Sequence, residues 1–202
     1  MKRNLLKNIF LSLCLVVFPM GMAAKQEATV TSPSGNLTLT AGVDKAGRPY
    51  YSLSRGKEAI LLPSYLGVKL KDGSLDSDFG VMGFVRATKD ETWHQPWGEE
   101  NDVRNHYNEL TMKLAQRKGL KRQLTIVFRV FDDGMGFRYV FPEQKNLKHF
   151  VIMDEETEFC FKGDPEAWTL PYDADYYEGL WTKAPLSKKQ KVCTPITIEA
   201  KP

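Results

Sequence analysis

The sequence predicts an all-β protein built as an antiparallel sandwich. Short runs of alternating apolar and polar residues recur along the chain with turn signals about every 8–12 residues, a spacing typical of sandwiches. The roughly 3.6-residue periodicity of an amphipathic helix is not sustained anywhere after Ala24. The composition, with 42% hydrophobic, 11% aromatic and 26% charged residues, is globular. A length of 202 residues is enough for one domain with a substantial core.

The candidate strands follow one another from residue 36 to residue 199. In the first, Asn36–Val43, alternate apolar residues share one face and a turn follows. The most strongly patterned pair is a hairpin, in which Leu124–Phe131 and Phe137–Phe141 flank the turn Asp132–Gly136. Because no closing element follows the last strand, we expect the chain to be the first part of something larger. The remaining candidate strands are Tyr50–Ser54, Ala59–Leu62, Leu66–Leu70, His149–Met153, Glu158–Phe161 and Val192–Glu199.

The first 24 residues have the three-part pattern of a secretory signal peptide. A positively charged opening, Met1–Asn8, precedes the apolar run Ile9–Met22, and small residues ending at Ala24 suit a signal peptidase. That run is too short for a comfortable membrane span, and no later segment is apolar enough for one. A lipoprotein signal at Cys14 is a weaker alternative because the residue before it is bulky. Cleavage would leave an exported mature domain, residues 25–202.

Charge and cysteine content exclude two function classes. The leader carries Lys2, Arg3 and Lys7 and no acid, so its removal leaves 25 basic residues (28 minus 3) against 25 acidic ones. A charge near zero argues against a nucleic-acid surface. The mature chain keeps Cys160 and Cys193, for which two separate buried side chains are favoured over a disulfide, although an oxidising compartment would permit one. Without a Cys/His cluster, a zinc site is not supported.

The densest polar and aromatic stretch is Glu91–Leu110, which we expect to form a loop that displays a site on the β-scaffold. Its mixture of side chains suits a sugar, since indole faces stack on a pyranose while polar groups bond its hydroxyls. An interface loop is an equally supported alternative. The candidate residues for sugar binding or a domain interface are Trp97, Glu99, Glu100, Arg104, Asn105, His106, Asn108 and Glu109.

Catalytic patterns are not evident in this stretch. Glu99 and Glu100 are adjacent, so in an extended segment they face opposite ways and cannot form a two-carboxylate pair unaided. His94 and His106 have no serine or cysteine nucleophile in a recognisable elbow nearby. The sequence also lacks a phosphate-binding loop. No residue is therefore assigned a catalytic role.

A second cluster, Ala167–Trp181, places Asp173, Asp175 and Glu178 among five aromatic residues. Carboxylate oxygens of this kind can coordinate Ca2+, although a loop that offers one or two of them needs further ligands from elsewhere. The spacing does not match an EF-hand loop. For this segment alone, solvated carboxylates at a loop tip are the favoured interpretation.

Both clusters, together with the hairpin, resemble the N-terminal domain of glycoside hydrolase family 97. The resemblance covers about residues 27–200 and extends to the periplasmic α-glucosidases of Bacteroides-type starch-utilisation systems. The run Arg-Asn-His-Tyr-Asn-Glu-Leu at 104–110 is quite specific. The stretches that carry the resemblance are Ser32–Leu37, Glu91–Glu100, Arg104–Leu110 and Phe128–Tyr139.

The resemblance implies a galactose-mutarotase-like β-super-sandwich for residues 25–202, followed in family members by a (β/α)8 catalytic barrel and a small C-terminal β-domain. It also implies periplasmic action on α-linked oligosaccharides, and a Ca2+ ion near the active site that polarises the substrate or leaving group. One calcium ligand would come from the N-terminal domain, at the position of Glu178. The Glu99–Glu109 segment would lie near the domain interface or the rim of the pocket.

The chain departs from the family pattern in lacking a helix-rich region, so it contains neither the barrel nor its acid and base residues. We therefore do not expect it to hydrolyse glycosides alone. The residues that separate inverting α-glucosidases from retaining α-galactosidases also belong to the barrel, and the Leu180–Val192 loop looks shorter than in the starch enzymes. Two alternatives stay open: the unstable product of a degraded gene, and a stand-alone carbohydrate-binding module whose stacking platforms are Trp93, Trp97, Trp168 or Trp181.

Overall fold

The computed structural model describes residues 26–172 and 178–199. The expected signal peptide, Asp173 and Asp175 lie outside these ranges. In the described part, every strand pairing is antiparallel and the helical content is a single 3-10 turn at Leu186–Lys188, so the all-β prediction is confirmed. Its strands are β1 (Glu27–Thr31), β2 (Leu37–Val43), β3 (Pro49–Arg55), β4 (Glu58–Tyr65), β5 (Val68–Leu70), β6 (Gly73–Leu75), β7 (Phe79–His94), β8 (Asp102–Gln116), β9 (Gln123–Val130), β10 (Met135–Val140), β11 (Ile152–Glu155), β12 (Glu166–Pro171), β13 (Thr182–Pro185) and β14 (Val192–Glu199).

These strands form four sheets. Sheet 1 has the order β1-β2-β3-β4, and sheet 2 has the order β10-β9-β8-β7. Sheet 3, with the order β11-β5-β6, and sheet 4, with the order β13-β12-β14, have three strands each. Sheets 1 and 2 are built largely from strands that follow one another in sequence, because short turns join antiparallel neighbours.

The hydrophobic core lies between sheets 1 and 2 and continues under sheet 3. The alternation predicted for β2 and β9 is confirmed, since Leu37, Leu39 and Ala41 are buried in the same cluster as Ile126 and Phe128. Three aromatic rings pack together within this cluster. The Tyr51 ring lies 6.0 Å from that of Phe128 and 5.5 Å from that of Phe137, measured between centroids, and all three contact one another.

The predicted hairpin is confirmed as β9–β10, with Phe128 opposite Phe137 and Val130 opposite Met135. The backbone N–H of Phe131 donates to the carbonyl of Gly134 at 2.8 Å and closes the turn. Asp132 in this turn also accepts the backbone N–H of Ser34 at 2.8 Å. That bond ties the turn to the loop between β1 and β2, so the two sheets are joined at this end.

The predicted strand Glu158–Phe161 is wrong. This segment meets β4 only through isolated contacts, including a bridge between Phe161 and Leu61 and a bond from the backbone N–H of Leu62 to the Cys160 carbonyl at 2.8 Å. The Ser64 hydroxyl accepts the backbone N–H of Cys160 at 2.9 Å. A side chain therefore replaces the backbone carbonyl that would accept this hydrogen bond in a regular sheet. The predicted strand His149–Met153 is displaced towards the C-terminus, as β11.

The structure bears on two expectations from the sequence, the state of the two cysteines and the absence of a later membrane span. Cys160 and Cys193 are both half-buried free thiols rather than a disulfide. Within residues 26–172 and 178–199, no helix is long and apolar enough to cross a membrane.

Candidate functional site

The Glu91–Leu110 stretch forms a projecting hairpin rather than the expected loop. Strand β9 pairs with β8 only between Asn108 and Ala115, whereas β7 pairs with β8 over its whole length. The outer halves of β7 and β8 therefore pair only with each other. Residues 89–107 leave sheet 2 as a two-stranded extension, which we call the arm.

The tip of the arm is a seven-residue turn, Gln95–Asn101, held by hydrogen bonds at its base. The backbone N–H of Gln95 donates to the Asn101 carbonyl at 2.8 Å, and the Gln95 side-chain amide donates to the Glu100 carbonyl at 2.7 Å. Gly98 has a φ of 121°, a conformation that other residues rarely adopt. Trp97 is 82% exposed at this tip, and Glu99 and Glu100 are exposed beside it.

One face of the arm carries an ion-paired cluster. The Arg104 guanidinium makes two bonds to the Asp90 carboxylate, at 2.9 and 2.8 Å. His106 lies across the strand pair from Asp90, with its Nε2 atom 3.9 Å from the same carboxylate. The hydrogen bond from Arg104 lowers the pKa of Asp90. Nearer the tip, His94 Nδ1 lies 3.0 Å from Asp102 Oδ1.

Asn108 anchors the base of this face to sheet 1. Its side-chain amide donates to the carbonyl of Thr31 at 2.9 Å, and its amide oxygen accepts the hydroxyl of Thr88 at 2.7 Å. Arg86 makes a similar bond to the carbonyl of Thr29 at 3.0 Å. The arm therefore leaves the sandwich at the edge strand β1, with a fixed starting direction.

The opposite face carries the other candidate residues. Asn105 donates to Glu91 at 2.9 Å, and Lys89 forms an ion pair with the same carboxylate at 2.8 Å. The hydrogen bond from Lys89, and to a smaller extent that from Asn105, lowers the pKa of Glu91. Nearer the sheet, Arg129 bonds Glu109 at 2.9 Å and lies over the ring of the buried Tyr107, which is 4.5 Å from the guanidinium carbon.

The eight candidate residues therefore do not converge on one point. Arg104, His106 and Asn108 share one face, Asn105 and Glu109 share the other, and the remaining three occupy the tip. The sequence reasoning missed Asp90 and Arg129, which hold these side chains in place. A signal was available for Asp90, because it and His106 are equally spaced on either side of Gly98 and so face each other in a hairpin centred there.

Glu178 is exposed and lies seven positions after the last residue of β12, directly beyond residues 173–177, which the structure does not describe. Among the residues that it does describe, no group of three or more histidine, cysteine, aspartate or glutamate side chains could hold a metal ion. Glu178 is thus not part of such a group among the described residues. An exposed carboxylate fits a shared calcium site, because calcium takes oxygen ligands, about six to eight in all.

Trp93 lies in the arm, on β7, and the other two tryptophans, Trp168 and Trp181, lie in or beside sheet 4. The indole N–H of Trp168 donates to Glu199 at 2.6 Å, and Lys183 bonds the other oxygen of this carboxylate at 2.5 Å. The hydrogen bond from Lys183, followed by that from Trp168, lowers the pKa of Glu199. The edge of the Trp168 indole is thus hydrogen-bonded within the chain, whereas Trp181 is exposed just before β13.

The family is decided by a sequence profile described as Glycosyl-hydrolase 97 N-terminal, which matches residues 30–202. The chain belongs to this family. Among its curated relatives is a retaining alpha-galactosidase from Bacteroides thetaiotaomicron, 29% identical over 210 residues that cover 96% of this chain and 30% of the relative. A probable retaining alpha-galactosidase from Streptomyces bingchenggensis is 26% identical, with 90% and 28% covered.

Two solved structures have the same fold over most of this chain. A glycoside hydrolase family 97 enzyme from Pseudoalteromonas sp. strain K8, in complex with panose, aligns with a TM-score of 0.81 at 31% identity, over 85% of this chain and 26% of that one. A beta-arabinopyranosidase aligns with a TM-score of 0.77 at 26% identity, over 84% and 29% of the two chains. This family 97 N-terminal chain thus spans less than a third of the length of the relatives that it matches.

Proposed function

We propose that this chain is the N-terminal β-domain of an exported, periplasmic glycoside hydrolase, in which it packs against a (β/α)8 catalytic barrel and offers Glu178 to calcium. The arm is the observation that carries the proposal. It is a preformed, projecting element in a chain whose matched relatives are more than three times as long.

The energetics of the arm favour a partner. A two-stranded hairpin is at best marginally stable in water. In this one the charged side chains are already paired with each other, as in Asp90–Arg104 and Lys89–Glu91. Binding to a partner therefore loses less side-chain entropy than it would if these side chains were free. Trp93 is 49% exposed and Trp97 is 82% exposed, and both offer apolar area for burial. We infer that the arm contacts the barrel or the rim of its pocket.

The substrate class that we propose is an α-linked glucoside or galactoside. The names of the relatives support it, since one is a retaining alpha-galactosidase and one family 97 enzyme was solved with panose and, in another structure, with acarbose. The carboxylates that would perform hydrolysis are assigned to the barrel, and the residues of this chain to positioning and interface roles.

Glu178 would add one carboxylate to a calcium site shared with the barrel. When bound, the ion would polarise the substrate or leaving group. The contribution of this chain is positional, because β12 and β13 pair at Thr169 and Thr182 and so fix both ends of the loop that carries Glu178.

The test begins with residues 25–202 purified alone and assayed on nitrophenyl α-glucoside and nitrophenyl α-galactoside. We expect no turnover of either, and turnover by this chain would overturn the proposal. The DNA that follows codon 202 is then read for a barrel frame, and that barrel is co-expressed with the chain. We expect co-purification that is weakened by Trp97→Ala and unchanged by Met82→Ala, which removes an exposed side chain of β7 outside the arm.

A stand-alone carbohydrate-binding module is the second candidate, and the exposure of Trp97 beside the carboxylates of Glu99 and Glu100 favours it. This function predicts that the purified chain binds maltooligosaccharides without a barrel and that Trp97→Ala abolishes the binding. Isothermal titration calorimetry measures both. An absence of heat on titration with maltooligosaccharides would contradict this candidate while leaving the barrel proposal intact.

A further inference from the structure

A pocket of about 560 Å³ opens between sheet 4 and the segment that crosses it after the 3-10 turn. Its strand side includes Thr169, Thr182 and Ala184, and its outer side includes Lys188, Lys189 and Lys191. We propose that this pocket binds a small oxyanion, carried by a free inorganic ion or by a sugar acid. The inference does not depend on the function proposed above.

The strand side of the pocket is one face of sheet 4. Thr169 of β12 pairs directly with Thr182 of β13, and Ala167 pairs with Ala184 in the same register. Residues directly opposite each other in an antiparallel pair project to the same side of the sheet. The two threonines therefore present their side chains together on the face that the lysine-rich segment crosses.

Thr169 carries a buried hydroxyl whose hydrogen-bonding capacity the described residues leave unused. Its side chain is 1% exposed, and its hydroxyl has no hydrogen-bond partner among the described residues. The neighbouring Thr182 hydroxyl is directed instead to the Thr169 carbonyl at 3.4 Å. Buried hydroxyls in native proteins are almost always bonded, so one without a partner calls for a group that the protein itself does not supply.

The lysines supply the complementary charge. Lys189 is half-buried, and its ammonium donates to the carbonyl and the hydroxyl of Thr182 at 2.9 and 3.1 Å. An ammonium has three N–H donors, so this one is held in a fixed position with one donor still available. The Lys191 ammonium lies 3.9 Å from the centroid of the Tyr172 ring, which also lines the pocket.

The electrostatic balance of the pocket favours an anion. Its described lining contains three lysines and no aspartate or glutamate. The Asp164 carboxylate lies in the field of Lys188, but it already accepts the backbone N–H and the hydroxyl of Ser187 at 2.8 and 2.6 Å. Lys189 and Lys191 form no ion pair with any described carboxylate.

These donors suit a ligand that only accepts hydrogen bonds. Ammonium groups and a hydroxyl can all donate to one carboxylate, sulfate or phosphate group, and charge-assisted bonds of this kind are the strong ones. A neutral sugar would leave the positive charges uncompensated. The volume exceeds what a single ion fills, so it also accommodates a sugar acid whose carboxylate meets Lys189.

The test is calorimetric titration of the mature chain at constant ionic strength, with sodium sulfate in one arm and sodium galacturonate in the other. Binding of sulfate alone identifies an inorganic anion site, and binding of galacturonate identifies a sugar-acid site. Either result supports the proposal if Lys189→Gln weakens binding by about tenfold or more, the loss expected for one charged hydrogen bond. Lys57→Gln, an exposed turn residue, is the matched control and should leave the affinity unchanged.

Thr169→Val separates ligand loss from misfolding. The substitution keeps the shape and removes the hydroxyl without a partner, so the variant should melt at the same or a higher temperature in anion-free buffer. It should also lose most of the extra thermal stability that the anion gives the wild type. Binding of neither anion, or binding that survives both pocket substitutions unchanged, would overturn the proposal.

Discussion

At the scale of single residues, Arg122 joins two parts of the fold. Its side chain is only 3% exposed, yet it bonds the Asp72 carboxylate at 2.5 Å and the backbone carbonyls of Asp72 and Asn146 at 3.4 and 3.3 Å. The guanidinium thus ties the β5–β6 turn to the loop that follows β10. Asp72 itself is 58% exposed, so the pair is buried on one side only.

This asymmetry predicts the effect of Asp72→Ala. The substitution leaves a buried guanidinium without its counter-charge, so we expect a loss of about 2 kcal/mol, below the range for fully buried pairs because Asp72 is partly solvated. Urea denaturation measures the free energy of unfolding. Asp133→Ala, in an exposed turn, is the control and should change it little. Equal values for the two variants would show that Arg122 does not need Asp72.

Contacts of this kind set the limit of what the sequence predicts at this scale. Arg122 and Asp72 are 50 positions apart, and the Tyr51 hydroxyl donates to a carbonyl at Glu158, 107 positions away. Neither pairing leaves a local pattern. The buried faces of β2 and β9 were predictable because alternation is a property of neighbouring residues.

At the scale of elements, two hairpins differ in how visible they are in the sequence. The β9–β10 hairpin has apolar alternation up to a turn of aspartates and glycines, and it was predicted. In the arm, both faces are solvated, so the alternation of apolar and polar residues disappears and the composition looks like that of a loop. The signal that remains is the pairing of complementary charges about Gly98, since a hairpin centred on that glycine brings Asp90 and His106 face to face.

The lowered pKa values of Asp90 and Glu91 make the arm sensitive to acid. A carboxyl whose pKa is lower in the folded state stabilises that state fully above its ordinary pKa, which is 3.8 for aspartate and 4.5 for glutamate. This stabilisation is lost as the pH falls through the lowered values. We therefore expect the arm amides to lose hydrogen-exchange protection below about pH 4, before those of Leu110–Leu114 do.

The Arg104→Gln variant tests the cause of that sensitivity. Without the guanidinium, the pKa of Asp90 should rise towards its ordinary value, which an NMR titration of the side-chain carboxyl carbon detects. Arg55→Gln, outside the arm, serves as the control. An unchanged Asp90 titration in Arg104→Gln would mean that another group holds this carboxylate ionised.

At the scale of the whole molecule, the buried apolar side chains of residues 26–172 and 178–199 do not form one continuous cluster. One cluster of buried residues joins sheets 1, 2 and 3, and it includes Leu39, Leu75 and Met112. The buried residues of sheet 4, among them Ala167 and Leu170, lie outside that cluster. The β12 strand of sheet 4 is therefore supported mainly by β13 and β14. The sequence predicted β14 but not the separation of sheet 4 from the main cluster. Alternation within a strand shows which of its residues are buried, and it does not show against which other strands they pack.

The separation predicts two levels of stability in one chain. Amides of β12 should exchange through a local opening of low free energy, whereas those of β2 and β9 should exchange only on global unfolding. Hydrogen exchange followed by mass spectrometry at increasing urea distinguishes the two regimes. Leu170→Ala should then accelerate exchange in sheet 4 alone. Met112→Ala should lower the protection of the strands that exchange on global unfolding, β2 and β9 among them, by about 2–5 kcal/mol, the cost of a cavity in the main core. Identical protection of sheet 4 and β9 would show instead that the four sheets unfold as one unit.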